Sequence, residues 1–444
     1  RSTLFPYTTL FRSIGTLTPD KVRYYKDAIA LAKKHEVPIV LDPVGCHAGA
    51  YRLSVVLDLI KTGAISLLRG NQSEIKAIYD ALSLNNQIDT STTGKGVDGV
   101  QVEDSAVMTY RLARLINCPV VATGEEDYVS DGTRIFAVPH GHPIMTAVTG
   151  TGCLLGAVLA AFFSAYQPCK NTLSIGEFLA YALAYYGLAG ESAVQVSGVK
   201  PGSFGVAFMD SLYTLDDTML VSENRIRPIV VPDQLQVYFV CGTQDTGLNK
   251  KRLLEIVEEA CRGGVTCFQF REKGDGTLEG QQKLELAQQL QHICAKYDVL
   301  FIVNDDVELA VAVNADGVHV GQDDMRLEDV RHLVGHKVVG ISIHSVEELR
   351  KTDVVYADCV GVGPMYATSS KPDAQEPCGP ERISELQAKG LTLPCVGIGG
   401  ITLDNTRVVL RAGACGVAVI SAIAHAEKPY EATRQFKQLV SNSQ

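Results

Sequence analysis

Short apolar runs alternate with amphipathic helical patterns along most of the chain. Residues 301–303 predict a buried strand, the following residues a short helix, and residues 317–320 a second strand. From residue 235 onward such strand–helix units repeat about eight times, without a pattern typical of antiparallel strands. A series of this length predicts a (β/α)₈ barrel, the TIM barrel.

The first half of the chain predicts a different α/β domain. Strand patterns ending near residues 41, 68 and 123 alternate with helices, and residues 127–138 predict short antiparallel strands, as in a layered sheet. Prolines and polar residues at 224–234 predict a linker. The domains are therefore predicted at residues 14–223 and 235–444.

Residues 1–13 do not follow either pattern. They contain Arg-Ser and Thr-Leu-Phe twice, in near-palindromic order, and no initiating Met. We therefore predict that this segment is extraneous and not part of the fold.

Composition limits the classes of function. The formal net charge of −10 disfavours nucleic acid or an anionic membrane as a partner, so anionic ligands would be held by local groups. The 12 cysteines include no CxxC pair and no zinc-type cluster, which favours buried, reduced thiols. The longest apolar run, residues 153–163, is too short to span a bilayer. No secretory signal is apparent, so we predict a cytoplasmic protein.

Carboxylates follow two neighbouring strands of the predicted barrel. Asp305 comes just after the strand at residues 301–303, and Asp324 follows the strand at 317–320. Consecutive parallel strands end side by side, at the end of the barrel where active sites form. Two carboxylates there predict a hard-oxygen site for Mg²⁺ that carries a phosphate ligand.

Other polar side chains and glycines follow the remaining strands. Together with Ile420, which precedes Ser421, they would suit a diphosphate and a separate monophosphate. The full set is Gln269, Arg271, Lys273, Asn304, Ser342, Thr368, Ser370, Lys371, Gly400, Ile420 and Ser421. Taken alone, residues 271–273 would be better explained as a solvated charge cluster. Agreement among so many loops favours a binding site.

Residues 235–440 resemble thiamine-phosphate synthase over the whole length of that family. The matching segments are QFREK at 269–273, ND at 304–305, HVGQDD at 319–324, GPMYATSSK at 363–371, IGGI at 398–401 and VISAI at 419–423. The resemblance implies that hydroxymethylpyrimidine diphosphate joins hydroxyethylthiazole phosphate through a pyrimidinylmethyl cation. The products are thiamine phosphate and pyrophosphate.

The same resemblance implies roles for the candidate residues. Asp305 and Asp324 would bind Mg²⁺, and Arg271 and Lys371 would act catalytically by neutralising the departing pyrophosphate. The diphosphate substrate would also contact Gln269, Lys273, Asn304 and Ser342. The thiazole phosphate would contact Thr368, Ser370, Gly400, Ile420 and Ser421.

A glycine-rich turn at residues 149–152 opens an apolar helix in the first half. Such a turn can form an anion hole for a transferring phosphoryl group, although alone it is better explained as a tight helix start. Asp42, Arg69 and Glu74 at strand ends add groups suited to Mg²⁺-nucleotide. Cys46 is a rival nucleophile that we interpret as a core or loop residue.

Residues 14–220 resemble hydroxyethylthiazole kinase of the ribokinase-like superfamily. The matching segments are LDPVG at 41–45, RGNQSE at 69–74, VATGE at 121–125, MTAVTGTGC at 145–153 and PGSF at 201–204. The resemblance implies that Cys153 is catalytic and faces the substrate hydroxyl. It implies that Glu74 binds the metal. ATP would be contacted by Asp42, Arg69, Thr123 and Gly150.

The family's N-terminal section, which includes its first strand and contacts at a trimer interface, has no counterpart here. We therefore expect a ribokinase-like domain that is incomplete at its N-terminus. A homo-oligomer through the kinase half is also expected from the resemblance.

The favoured hypothesis is a bifunctional thiamine biosynthesis or salvage enzyme. Its partners would be small molecules: pyrimidine diphosphate, thiazole alcohol, thiazole phosphate and ATP as co-substrate, with Mg²⁺ and without nucleic acid or membrane. One alternative keeps the barrel as a thiazole tautomerase or a thiamine-phosphate-binding regulator. In that alternative the N-terminal half would be a non-catalytic docking module.

Overall fold

The computed structural model of the chain describes residues 9–85, 102–166, 173–368, 370 and 375–443. The chain divides into two compact units between Ile229 and Val230. Each unit has its own sheet, one open and one closed.

The first unit is organised around an open sheet whose seven strands stand in chain order. The first four strands run parallel, and the last three are antiparallel to their neighbours. The strands are β1 (Leu10–Ser13), β2 (Ile39–Asp42), β3 (Leu67–Asn71), β4 (Val120–Thr123), β5 (Asp127–Ser130), β6 (Ile135–Val138) and β7 (Arg227–Ile229).

Helices connect and cover these strands, much as the sequence predicts. Thr18 caps α1 by accepting a hydrogen bond from the Lys21 amide, and Pro19 fits the first helical position, where no amide proton is needed. The helices are α1 (Pro19–Lys34), α2 (Ala50–Ile60), α3 (Gln72–Asn85), α4 (Val102–Ile116), α5 (Thr151–Ala165), α6 (Ile175–Ser197), α7 (Pro201–Thr214) and α8 (Asp217–Ser222).

Strand β1 corrects the prediction that residues 1–13 lie outside the fold. Leu10–Ser13 pairs in parallel with β2, with Ser13 opposite Asp42. Phe11 packs on α5 so closely that a Cβ on Gly156 would lie 2.4 Å from its ring. The segment therefore forms an edge strand, whose apolar side chains add to the layer between sheet and helix.

Strand β7 corrects the prediction that residues 224–234 are a linker. Arg227–Ile229 pairs antiparallel with β6, and Pro228 lies opposite Phe136. Proline is tolerated in such an edge strand, because one side of the strand needs no donor. Pro232–Leu235 forms a 3₁₀ turn that leads into the second unit.

The second unit is a closed barrel of eight parallel strands, which confirms the predicted TIM barrel. The predicted strand at residues 317–320 coincides with an observed one, and the predicted strand at 301–303 lies within another. The strands are β8 (Val237–Cys241), β9 (Cys267–Phe270), β10 (Leu300–Asn304), β11 (Gly317–Val320), β12 (Val338–Ile343), β13 (Cys359–Val362), β14 (Cys395–Ile398) and β15 (Gly416–Val419).

An outer layer of helices packs on the barrel strands. Side chains from both layers form a continuous core that includes Phe239, Phe268 and Phe301. The helices are α9 (Lys250–Gly263), α10 (Gly280–Lys296), α11 (Val307–Ala312), α12 (Leu327–Val334), α13 (Val346–Lys351), α14 (Glu381–Ala388), α15 (Thr406–Arg411), α16 (Ser421–Ala424) and α17 (Pro429–Ser441).

Of the eleven cysteines in the described residues, eight are buried, two are half-buried and Cys153 is exposed, and all are free thiols. The prediction of buried, reduced cysteines is thus confirmed for most of them. None of the helices in the described part of the chain is long and apolar enough to cross a membrane.

Candidate active sites

A cavity of about 550 Å³ opens where the barrel strands end. Gln269 reaches it indirectly, because its Nε2 donates a hydrogen bond of 2.5 Å to Asn304 Oδ1. Lys371 lies outside the described residues. The predicted residues that line the cavity are Arg271, Lys273, Asn304, Asp305, Asp324, Ser342, Thr368, Ser370, Gly400, Ile420 and Ser421.

The two predicted metal ligands lie together on one side of the cavity. Asp305 and Asp324 lie close enough for each carboxylate to act on the charge of the other, and Lys273 Nζ is 2.8 Å from Asp305 Oδ2. Partial burial raises the pKa of Asp324, and the neighbouring Asp305 raises it further. The hydrogen bond to Asp305 raises the pKa of Lys273. A carboxylate pair of this kind favours an additional positive charge between its members.

The donor set at this pair fits Mg²⁺. No group of three or more His, Cys, Asp and Glu side chains within the described residues is arranged to hold a metal by itself. Mg²⁺ commonly takes one or two carboxylates and completes its shell with water and substrate phosphate oxygens. Asp305 and Asp324 match that requirement.

Backbone hydrogen bonds fix both carboxylates. The Asp305 amide donates to His319 O at 2.8 Å, which joins the end of β10 to β11. Asp305 has a φ of 59°, a left-handed conformation that Asp and Asn tolerate better than most residues. Asp324 Oδ2 accepts a hydrogen bond of 2.7 Å from the Gly321 amide, which closes the turn after β11.

Two of the three charged residues after β9 are buried. Burial of Arg271 and Glu272 is inconsistent with a solvated charge cluster at these two positions, whereas the Lys273 side chain is half exposed. The Glu272 carboxylate accepts hydrogen bonds of 2.9 Å from the amides of Thr243 and Leu278, so its role is structural. The Arg271 amide donates to Cys241 O at 3.0 Å.

The opposite side of the cavity carries hydroxyls and glycines. Thr368 and Ser370 follow β13, and Gly400 follows β14. Gly400 has a φ of 62°, and a Cβ there would lie 2.6 Å from Ala367 O. Only glycine fits this close approach of the two loops.

Sequence reasoning did not single out three polar residues that line this cavity: His319, Gln322 and His344. His319 Nε2 lies 3.0 Å from Ser342 Oγ, and Gln322 Nε2 donates to Ser342 O at 2.7 Å. The sequence signal for His344 is the two-residue period of a strand, which places it on the same face as Ser342.

The predicted kinase residues of the first unit converge around Arg69. Its Nη1 lies 3.6 Å from Asp42 Oδ2, and its Nη2 donates to Thr123 Oγ1 at 3.1 Å. The guanidinium also lies beneath the start of α5, where a Cβ on Gly152 would be 3.5 Å from Nη2. The open sheet therefore brings these side chains to the glycine-rich turn.

The glycine-rich turn places a left-handed glycine directly before α5, an arrangement compatible with an anion site at a helix N-terminus. Gly150 has a φ of 98° and precedes α5, and the Leu154 amide donates to its carbonyl at 2.8 Å. Tyr186 Oη donates to Thr151 O at 2.6 Å. Cys153 is exposed in the first turn of α5, where its side chain is accessible to a substrate.

Glu74, the predicted metal ligand of this unit, is buried and hydrogen-bonded to backbone. Oε1 accepts from the Gly45 amide at 2.7 Å, and Oε2 accepts from the Asn71 amide at 2.8 Å. Each oxygen retains further lone-pair capacity, so metal binding by Glu74 stays a prediction. Cys46 is buried, and burial raises the pKa of its thiol to about 12, which suits the core role predicted for it.

Asp42 is fully buried, and its ionisation should destabilise the first unit. Burial raises the pKa of this carboxyl from 3.8 to about 6, against the opposing charge of Arg69. The folded state therefore binds this proton more tightly than the unfolded state. The free energy of unfolding of this unit therefore falls as the pH rises from about 4 to 6, and it stays at the lower value above that range.

Asp42→Asn should accordingly stabilise the first unit by about 3 kcal/mol at pH 8 and by much less at pH 4.5. Urea unfolding followed by circular dichroism would measure the difference from the wild type. Asp58→Asn, at an exposed carboxylate on α2, is the matched control and should change stability by less than about 0.5 kcal/mol. An Asp42→Asn variant no more stable than the wild type at pH 8 would contradict this account.

The folds and cavities define the class of the protein. A sheet unit with a glycine-rich turn at a helix start and a barrel with a carboxylate–cation pocket are both typical of enzymes that act on phosphorylated small molecules. Two family models match in tandem: the hydroxyethylthiazole kinase family over residues 7–218 and thiamine monophosphate synthase over residues 237–423.

Two individual sequences agree with these matches. The thiamine biosynthesis bifunctional protein ThiM/ThiE of Symbiobacterium thermophilum is 36% identical over 96% of this chain and 85% of its own. A thiamine-phosphate synthase of Geobacillus thermodenitrificans is 53% identical over 46% of this chain and 91% of its own. The structure of hydroxyethylthiazole kinase from Pyrococcus horikoshii is 31% identical, covering 50% of this chain and 77% of that one, with a TM-score of 0.42.

The chain belongs to the family of bifunctional thiamine biosynthesis proteins, in which a hydroxyethylthiazole kinase domain precedes a thiamine-phosphate synthase domain. This confirms the favoured hypothesis at the level of the family. The tautomerase-like or regulatory alternative has no support from these comparisons.

Proposed function

We propose that the barrel joins hydroxymethylpyrimidine diphosphate to hydroxyethylthiazole phosphate, with the residue roles given below. The observation that carries the proposal is the division of one cavity. The Asp305–Asp324 pair lies beside Lys273 on one side, and the hydroxyls and glycines after β13 and β14 lie on the other. This division suits two separate phosphorylated substrates.

In the proposed reaction the C–O bond to the diphosphate breaks first. The electron pair leaves with pyrophosphate, and the thiazole nitrogen then donates its lone pair to the pyrimidinylmethyl cation. Neutralising the charge that grows on pyrophosphate is the main help that a protein can give to such a step. Arg271, Lys273 and Lys371 would supply positive charge for this purpose.

The remaining residues would orient the substrates. Asp305 and Asp324 would hold Mg²⁺, and the chemistry that this ion would supply is Lewis-acid neutralisation of the diphosphate. Gln269, Asn304 and Ser342 would hold the pyrimidine diphosphate. The thiazole phosphate would bind at Thr368, Ser370, Gly400, Ile420 and Ser421.

We propose that the first unit transfers the γ-phosphoryl group of ATP to the hydroxyl of hydroxyethylthiazole. Gly150 and the following amides would receive the transferring group, and Cys153 would lie at the substrate hydroxyl. Asp42, Arg69 and Thr123 would contact ATP, and Glu74 would contact its metal. The product of this unit is then the second substrate of the barrel.

A coupled assay tests both halves. The full chain is supplied with Mg²⁺, the pyrimidine diphosphate and either thiazole alcohol with ATP or thiazole phosphate. Thiamine phosphate should form under both conditions, and EDTA should stop it. If thiamine phosphate forms when thiazole phosphate is supplied but not when thiazole alcohol and ATP are supplied, the kinase proposal is rejected. If it forms under neither condition, the synthase proposal is rejected.

Lys371→Ala should raise the KM for the pyrimidine diphosphate about tenfold or more, and the KM for thiazole phosphate much less, because its charge is proposed to face the diphosphate. Steady-state kinetics with each substrate varied in turn would measure both constants. Lys389→Ala, at the exposed end of α14, is the matched control. Equal losses for both substrates would assign Lys371 a different role.

A further inference from the structure

His344 stands directly after β12, at the boundary between the two sides of the barrel cavity. Ser342, two residues earlier on the same strand, is proposed to hold the diphosphate substrate. Gly363 begins the loop after β13, which carries the hydroxyl of Thr368. His344, Ser342, Gly363 and Thr368 all line the cavity.

The imidazole of His344 links these two sides. Its Nδ1 is hydrogen-bonded to the carbonyl oxygen of Gly363. A carbonyl can only accept, so Nδ1 must carry the proton. Protonation of the ring leaves this bond in place, because Nδ1 is a donor in both the neutral and the charged form.

The backbone of His344 is itself fixed by the start of α13. Its amide donates to Glu348 Oε2 at 2.6 Å, and the Glu348 amide donates to Ser345 Oγ at 3.1 Å. This reciprocal arrangement is a form of capping box. The imidazole is therefore presented from a rigid element, which is what a positioning residue requires.

The loop that His344 contacts is also held from its other side. The amides of Met365 and Tyr366 donate to Ile398 O at 2.8 Å and to Gly399 O at 3.1 Å. Residues 363–366 thus connect β12, through His344, with the glycines after β14. The position of Thr368, two residues beyond this segment, depends on both attachments.

We propose that His344 is a positioning residue for the second substrate: by holding the Gly363 carbonyl it places the loop that binds thiazole phosphate. This inference rests on the proposed synthase function and deepens it. Losing the imidazole should disturb the thiazole phosphate subsite more than the diphosphate subsite, because Lys371 is the one residue proposed for the diphosphate that lies on the loop held by His344.

Three substitutions separate this role from others. His344→Ala removes the donor. His344→Asn places an amide nitrogen near the position of Nδ1, whereas His344→Gln places one near Nε2. We expect His344→Ala and His344→Gln to raise the KM for thiazole phosphate about tenfold, the usual effect of one lost hydrogen bond. The KM for the pyrimidine diphosphate should rise by a clearly smaller factor, because only Lys371 of its proposed contacts lies on this loop, and His344→Asn should restore both constants.

Other outcomes would overturn the proposal. Rescue by His344→Gln but not by His344→Asn would mean that Nε2 acts on a substrate directly. Equal rises in both KM values would mean a general structural role. Thermal unfolding of each variant identifies any that fail to fold, and His344→Asn remains informative if His344→Ala does not fold. A wild-type chain that forms no thiamine phosphate would instead reject the synthase function itself.

Discussion

Replacing Asp305 by Asn is expected to lower the rate of thiamine phosphate formation by about 10²–10³-fold without unfolding the barrel. The carboxylate neighbours that of Asp324 and is 2.8 Å from Lys273 Nζ, so its loss removes half of the proposed metal-binding pair. Asn tolerates the positive φ of this position, which keeps the backbone close to its present course.

Two measurements check this expectation. Steady-state rates at increasing Mg²⁺ should show that activity is not restored, and calorimetry with Mn²⁺ and pyrophosphate should show weaker metal binding. The adjacent Asp306 is the matched control, because it caps α11 and pairs with Lys283 at 2.7 Å. Asp306→Asn keeps the cap and should retain activity within about twofold. Comparable losses in both variants would refute the metal site.

Replacing Arg69 by Gln is expected to lower kinase turnover by a similar factor, because the guanidinium lies at the turn proposed to receive the γ-phosphoryl group. The same change leaves Asp42 without its nearest cation, so some loss of stability should accompany it. Arg69→Lys keeps the charge but cannot reach Asp42 and Thr123 at once, and it should lose about tenfold or more.

The second half of the chain supplies the internal control for Arg69. Each variant is assayed for thiazole phosphorylation and, separately, for thiamine phosphate formation from added thiazole phosphate. The second activity should be unchanged. If Arg69→Gln retains kinase turnover within about twofold of the wild type, Arg69 does not act in the active site.

Much of the barrel could be predicted from sequence, because in a TIM barrel polar residues after successive strands converge at one mouth. Asp305 and Asp324 are the clearest case, since two carboxylates from separate loops become neighbours in the cavity. His344 was harder to predict. Its partner is a backbone carbonyl on the next strand, and no sequence pattern identifies a carbonyl as a partner.

The edges of the first sheet were predicted less well. Leu10–Ser13 and Arg227–Ile229 are short edge strands with little apolar alternation, and one of them contains a proline. Such strands are defined by the neighbours with which they pair rather than by local propensity. The role of Glu272 was obscured for a related reason, because one of its hydrogen-bond partners, Thr243, follows a different strand.

Strand β7 has a consequence for how the two catalytic halves can be separated. Ile229 still pairs with β6, whereas Val230 already packs with Leu235 and Tyr238 in the barrel. No spare residues separate the two cores along the polypeptide. Ending the kinase domain near residue 223 would remove β7, the edge strand of its sheet. To separate the two domains, or to insert a flexible spacer between them, the chain should therefore be divided at the peptide bond after Ile229.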